Sequence, residues 1–140
     1  MVTITKTPIT HRSRFMDSLE RCAKAKEFLP TFYANFMSSS EEVREKFRHT
    51  NFDRQNRMLL NSLRLAGDAV AGDPQALKQL IERGETHSRN HLNIEPRLYE
   101  SWLESLLRAA HQFDEHWDYE VEAAWRLVLS HVIRHMLRYY

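Results

Sequence analysis

Apolar side chains recur along this chain at intervals of three and four residues, which predicts helices throughout. Phe15, Met16, Leu19, Cys22 and Ala23 share one stripe, and Ser13 stands before them as a candidate cap. A second helix is expected from about Glu27 or Pro30 to Met37, carrying Phe28, Leu29, Phe32, Tyr33 and Phe36. The run Ser38-Ser39-Ser40-Glu41-Glu42 is a cap-rich break, and Val43 to Phe47 a short helical turn beyond it. From Asp53 to Ala71 a long helix places Gln55, Leu59, Leu63, Ala66 and Val70 on one face. It stops at Gly72-Asp73-Pro74, where Asp73 caps the next helix and Pro74 takes its first position. That next helix, Gln75 to His87, buries Leu77, Leu80 and Ile81. Pro96 to about Phe113 turns Tyr99, Trp102, Leu103, Leu106 and Ala110 inward. The last helix, from about Tyr119 to Arg138, does the same with Val121, Ala124, Trp125, Val128, Leu129, Val132 and Met136.

Seven helical segments of unequal length, short connections and no strand signal or internal repeat point to an all-α fold that is not a symmetric bundle. Three glycines and four prolines in 140 residues agree with this. That length suits one domain with its own core, expected over 13–140, behind a loose, threonine-rich arm over 1–12. Twenty basic and 19 acidic side chains nearly cancel and form no basic block, which argues against a nucleic-acid partner. No apolar run is long enough for a signal peptide or a membrane span, and a single cysteine, Cys22, suits a reducing compartment. A cytoplasmic protein with no membrane partner is the expectation.

The chemistry-bearing residues lie on these helices. Gly84-Glu85-Thr86-His87 puts a histidine at the end of one apolar-faced helix, with Pro96 opening another. A neutral imidazole held there can bind iron from one side. Upstream stand Phe32-Tyr33, Phe47, and Gln55 with Leu59 one turn later. A phenol, a ring and an amide upstream of one histidine are the parts of a gas-binding haem pocket. Each part also has a plainer reading: a histidine at a helix end pairs with the helix dipole, and a buried tyrosine packs in the core. His87 with His91, and His131 with His135, also have zinc-type spacing, but no carboxylate is placed to complete either site. His11, His111 and His116 are expected at the surface.

Over residues 13 to 138 the sequence resembles the globin family, most closely bacterial single-domain globins and the haem domains of globin-coupled sensors and flavohaemoglobins. Phe32-Tyr33 lies fourteen residues before Phe47, the family's distance between distal tyrosine and ring-packing phenylalanine. Gln55-Asn56-Arg57-Met58-Leu59 looks like the distal glutamine and leucine. Gly84-Glu85-Thr86-His87 matches the turn presenting the proximal histidine, and Ile94, Pro96 and Tyr99 follow as where the last helix pair begins. The resemblance implies a three-over-three helical sandwich around non-covalent haem b. It implies His87 as iron ligand, Tyr33 and Gln55 on the distal side, and Phe47, Leu59, Ile94 and Tyr99 lining the cofactor. The chain departs from the pattern in two places. His87 lies nine residues before Pro96 and His91 only five, so His91 is the alternative ligand. Where flavohaemoglobins carry a late glutamate, this chain reads Arg138-Tyr139-Tyr140.

Reversible binding of dioxygen, and of carbon monoxide or nitric oxide, for storage or sensing is the implied function. Nitric oxide dioxygenation is the enzymatic alternative; it needs a separate reductase, because no flavin- or nicotinamide-binding domain is present. The third reading is a haem-free helical interaction module. A homodimer through the last two helices is a further expectation.

Overall fold

Thr10, not Ser13, starts the first helix. Its backbone is extended (φ −91°, ψ 162°), and its hydroxyl accepts from the Ser13 amide at 3.0 Å while the Ser13 hydroxyl accepts from the Thr10 amide at 3.0 Å. This reciprocal box uses both hydroxyls, so α1 runs over His11–Ala23, beginning two residues before the expected cap. Residues 10–70, 72, 75, 76, 78, 79, 82 and 96–137 are described by this computed structural model, with backbone alone at 135–137.

The other helices follow from similar local chemistry. Helix α2 (Phe28–Ser39) carries Pro30 in its first turn, where a missing N–H costs no helical bond. The Ser40 hydroxyl accepts from Glu42 and Val43 to open α3 (Glu41–Lys46). Helix α4 (Phe52–Val70) has the Asn51 side chain accepting from the Arg54 amide at 3.2 Å. Just past its end, Gly72 takes φ 89°, a conformation open to glycine, with its N–H on the Ala69 carbonyl at 3.0 Å. Helix α5 covers Leu98–Phe113 and α6 Tyr119–Leu137, the latter opened by the Asp118 carboxylate accepting from Val121.

Among the described residues there are six helices and no strand. Of the expected helix from Gln75 to His87, residues 75, 76, 78, 79 and 82 are helical; Leu77, Leu80, Ile81 and His87 lie outside the described residues. None of the described helices is long and apolar enough to cross a membrane.

Packing joins α1 to α4, α5 and α6, α2 to α5 and α3, and α4 to α6. The largest fully buried side chains follow the helical period: Phe15 and Leu19 on α1, Phe28, Phe32 and Phe36 on α2, Val43 on α3, Leu63 on α4, Leu106 on α5, and Trp125, Val128 and Leu129 on α6. Trp102 is only half-buried, set edge-on to Phe32 at 6.0 Å. Where α1 crosses α4, an added Cβ at Gly67 would sit 2.2 Å from the Met16 sulfur, so the Met16 side chain occupies the space that glycine leaves. Arg12 binds over this crossing, donating to the Gly67 carbonyl at 3.2 Å and to Asp68 at 3.0 Å.

One buried charge locks the helices together. Asp114, at the end of α5, has a fully covered carboxylate that receives Arg21 Nε at 2.6 Å, Arg21 Nη2 at 3.0 Å and the His116 amide at 2.9 Å. Ser18 donates its hydroxyl to the same carboxylate and accepts from the Trp125 indole N–H at 2.9 Å. Three helices therefore converge on one satisfied group. Burial by itself would raise the Asp114 pKa, but the bonds from Arg21, Ser18 and His116 outweigh it and hold the carboxyl below the usual range. The exposed pairs Arg64–Glu20, Arg14–Glu120 and Arg126–Glu104 are solvated and contribute little each.

Because the folded Asp114 carboxyl binds its proton less tightly than the unfolded one, its contribution is complete above the ordinary carboxylate range. It falls away as pH drops through the folded value. Asp114→Asn should destabilise the chain by about 2–3 kcal/mol at neutral pH, since Arg21 retains some solvent and so the loss is at the lower end for a broken pair. Urea melts from pH 7 to pH 3 should show a shallower acid loss in the variant; matching pH slopes would refute this role.

Candidate functional site

On α2, Phe28, Phe32 and Phe36 follow one stripe and Leu29 and Tyr33 the next. The second stripe faces the start of α4. Tyr33 is 3% exposed, and its ring meets Phe32 at 4.7 Å, Phe52 at 5.3 Å and Phe47 at 5.4 Å. Phe47 is stacked against Phe52 at 6.2 Å and lies edge-on to Phe36 at 6.0 Å. The phenol is therefore enclosed by phenylalanine rings from three segments, in the offset and edge arrangements that aromatic quadrupoles favour.

Its polar end lies beside the Gln55 side chain, one turn into α4 and placed to donate toward the Tyr33 oxygen. Burial drives the Tyr33 pKa well above the ordinary phenol value, and the bond to Gln55 lowers it only in part. The phenol thus keeps its proton across the physiological range and remains a donor.

Tyr33, Phe47 and Gln55 are brought together as expected. Leu59 is half-buried against the core one turn after Gln55, and Tyr99 is buried in the first turn of α5. Neither shares a ring contact or side-chain hydrogen bond with Tyr33 among the described residues. Contacts on either side fix the turn holding Tyr99: Arg97 pairs with Glu42, and the Ser101 hydroxyl donates to Ser39 Oγ at 2.6 Å. His87, His91 and Ile94 lie outside the described residues. Phe52 is the member that the sequence reading missed. Placing the helix start at Asp53 left it in a loop, although an aromatic between the capping residue Asn51 and the amphipathic stripe was a usable signal.

No protein-family profile matches the chain, and no curated protein does. A crystal structure of a protein from Pseudomonas aeruginosa PAO1, described as structurally highly homologous to a human hemoglobin, matches with a TM-score of 0.87 and 33% identity. The likeness covers 94% of this chain and 98% of that one. The chain belongs to the globin family.

In this all-α globin fold the Tyr33 ring on α2 reaches Phe52 and Gln55 at the start of α4. In this globin the described side chains suit a flat, apolar macrocycle. Met58 is 41% exposed on α4 and Leu59 is covered only in part, each within about one turn of Gln55. Among the described residues no group of three or more His, Cys, Asp or Glu could hold a metal ion by itself. A porphyrin iron needs only one protein ligand.

Phe52→Ala should leave the helical content of this globin intact but lower its stability by about 1–3 kcal/mol, less than for a fully buried phenylalanine. Thermal melts check this. An unchanged melting temperature would mean that Phe52 does not brace Tyr33 and Phe47.

Proposed function

We propose that this globin binds haem b through His87 and uses the cofactor to take up dioxygen and other diatomic gases reversibly, for storage or sensing. The observation that carries the reading is the buried Tyr33 phenol, held neutral in a phenylalanine shell and joined to Gln55. Phe47, Leu59, Ile94 and Tyr99 are the residues we assign to the cofactor's apolar faces. When bound, haem supplies reversible coordination of a small gas.

Everything else falls to the chain. Tyr33 Oη–H is a donor already desolvated, so it gives its hydrogen to a polarised ligand without first losing bound water. Gln55 orients that hydroxyl, and its amide has a second N–H for the same ligand. Phe32, Phe47 and Phe52 limit access of water and protons to Tyr33. A ligand that gathers negative charge gains most from this donor. The arrangement therefore favours dioxygen over carbon monoxide.

Addition of hemin to the purified chain should give a Soret band, and His87→Ala should abolish stable retention while His91→Ala does not. A colourless wild-type chain would reject haem binding, and the reverse pattern in the variants would move the ligand to His91. A hydrogen bond to a partly charged ligand contributes roughly 1.5–3 kcal/mol. Tyr33→Phe should therefore accelerate dioxygen dissociation about tenfold to a hundredfold, as measured by stopped flow. An unaltered rate would show that the phenol is not the donor.

A further inference from the structure

A cavity of about 150 Å³ lies between the α1–α2 corner and α4. Ala23, Ala25, Leu29 and Leu60 supply apolar wall, and its polar side chains are Lys26 and Asn56. Lys26 is exposed, so its charge is hydrated and screened. The Asn56 side-chain oxygen is different: it is buried and has no hydrogen-bond partner. A buried amide oxygen without a donor costs free energy that a suitable partner recovers. Rotation about the Asn side-chain terminal bond is soft, so the amide can turn that oxygen toward an arriving donor.

We infer that this cavity is a binding site for a small neutral molecule of about one aromatic ring bearing an O–H or N–H, with its ring against Leu29 and Leu60 and its donor on Asn56. The cavity opens to solvent on one side, and its volume near 150 Å³ is room for about one benzene-sized ring. A neutral ligand is specified because no buried cation faces the cavity to offset the desolvation of an anion. The site is separate from the Tyr33 pair yet shares both of its helices: Asn56 follows Gln55 on α4, and Leu29 lies one turn before Tyr33 on α2. Haem plays no part in the inference, and its loading is read separately from the Soret band.

The test uses phenol and toluene, close in shape and different in the donor, titrated into the isotope-labelled full chain and followed by nuclear magnetic resonance. Phenol should give saturable shifts concentrated at Ala23, Ala25 and Leu60. In Asn56→Leu, phenol should weaken relative to toluene by about fivefold or more, the ratio expected when one hydrogen bond is lost. Ala25→Phe, which fills the cavity while leaving the amide in place, should abolish the binding of both. Shifts spread evenly over the surface, or a phenol-to-toluene ratio that Asn56→Leu does not move, would overturn the site; the former outcome would leave the amide oxygen to a water molecule only. Circular dichroism on both variants verifies that each remains helical.

Discussion

The bonds that join α1 to the Asp114 carboxylate, and through Ser18 to Trp125 on α6, are the constraint on which the rest of this structure depends. A charge with no solvent access is tolerated only when all of its acceptor capacity is used, and here Arg21, Ser18 and the His116 amide use it. The Ser18 hydroxyl, in turn, accepts from Trp125, the largest fully buried side chain. Sliding α1 along α6 by one residue would break several of these bonds together. Apolar packing would resist such a slide far less, because hydrophobic contact is not directional. The knot therefore sets the register in which the aromatic core closes.

Register at α1 is passed on to the site through α4. The crossing at Gly67 lets α1 and α4 approach until Met16 fills the space of a missing side chain, while Arg12 clamps the backbone at Gly67 and the carboxylate of Asp68. This holds the far end of α4, and a helix of this length is stiff enough to fix its other end. That other end supplies Phe52 and Gln55 to Tyr33. The start of α5 is secured independently, by Arg97 on Glu42 and Ser101 on Ser39. Tyr33 and Gln55 thus meet at the end of an anchored helix, which fixes their mutual geometry.

Much of this was legible from residue spacing because helical periodicity is a local signal. The stripes of α1, α2, α4, α5 and α6 bury most of the described residues their spacing indicated, with Met16, Leu59, Val70, Trp102 and Leu103 only partly covered, and Tyr33, Phe47 and Gln55 meet because each lies on such a stripe or just past one. What escaped was of two kinds. Helix ends turned on which side chain caps: at α1 Thr10 takes the place expected of Ser13, and at α4 the Asn51 cap starts the helix one residue before the expected Asp53. The Asp114 knot escaped because its partners are separated by more than ninety positions, and nothing in a charged residue after a helix distinguishes a surface cap from a buried hub. Resemblance to a family, in contrast, ties distant residues together. It joined Tyr33 to Gln55 before any packing was known.

The two buried polar centres divide the work according to charge. Among the described residues Asp114 is the one buried Asp, Glu, His, Lys or Arg, and it lies at the corner where α5 ends, amid bonds that keep it ionised. The Tyr33 centre is kept neutral by the same burial, because no cation accompanies it to offset an anion. A fixed anion beside the phenol would compete for its hydrogen and repel any ligand that gathers negative charge. A neutral donor does neither, and its partner Gln55 is neutral as well. Keeping the structural charge at the corner and the neutral donor at the pocket lets the fold be pinned electrostatically while the pocket's field comes from dipoles alone. On the function proposed above, a centre governed by dipoles would separate polarised from unpolarised small molecules without binding ions.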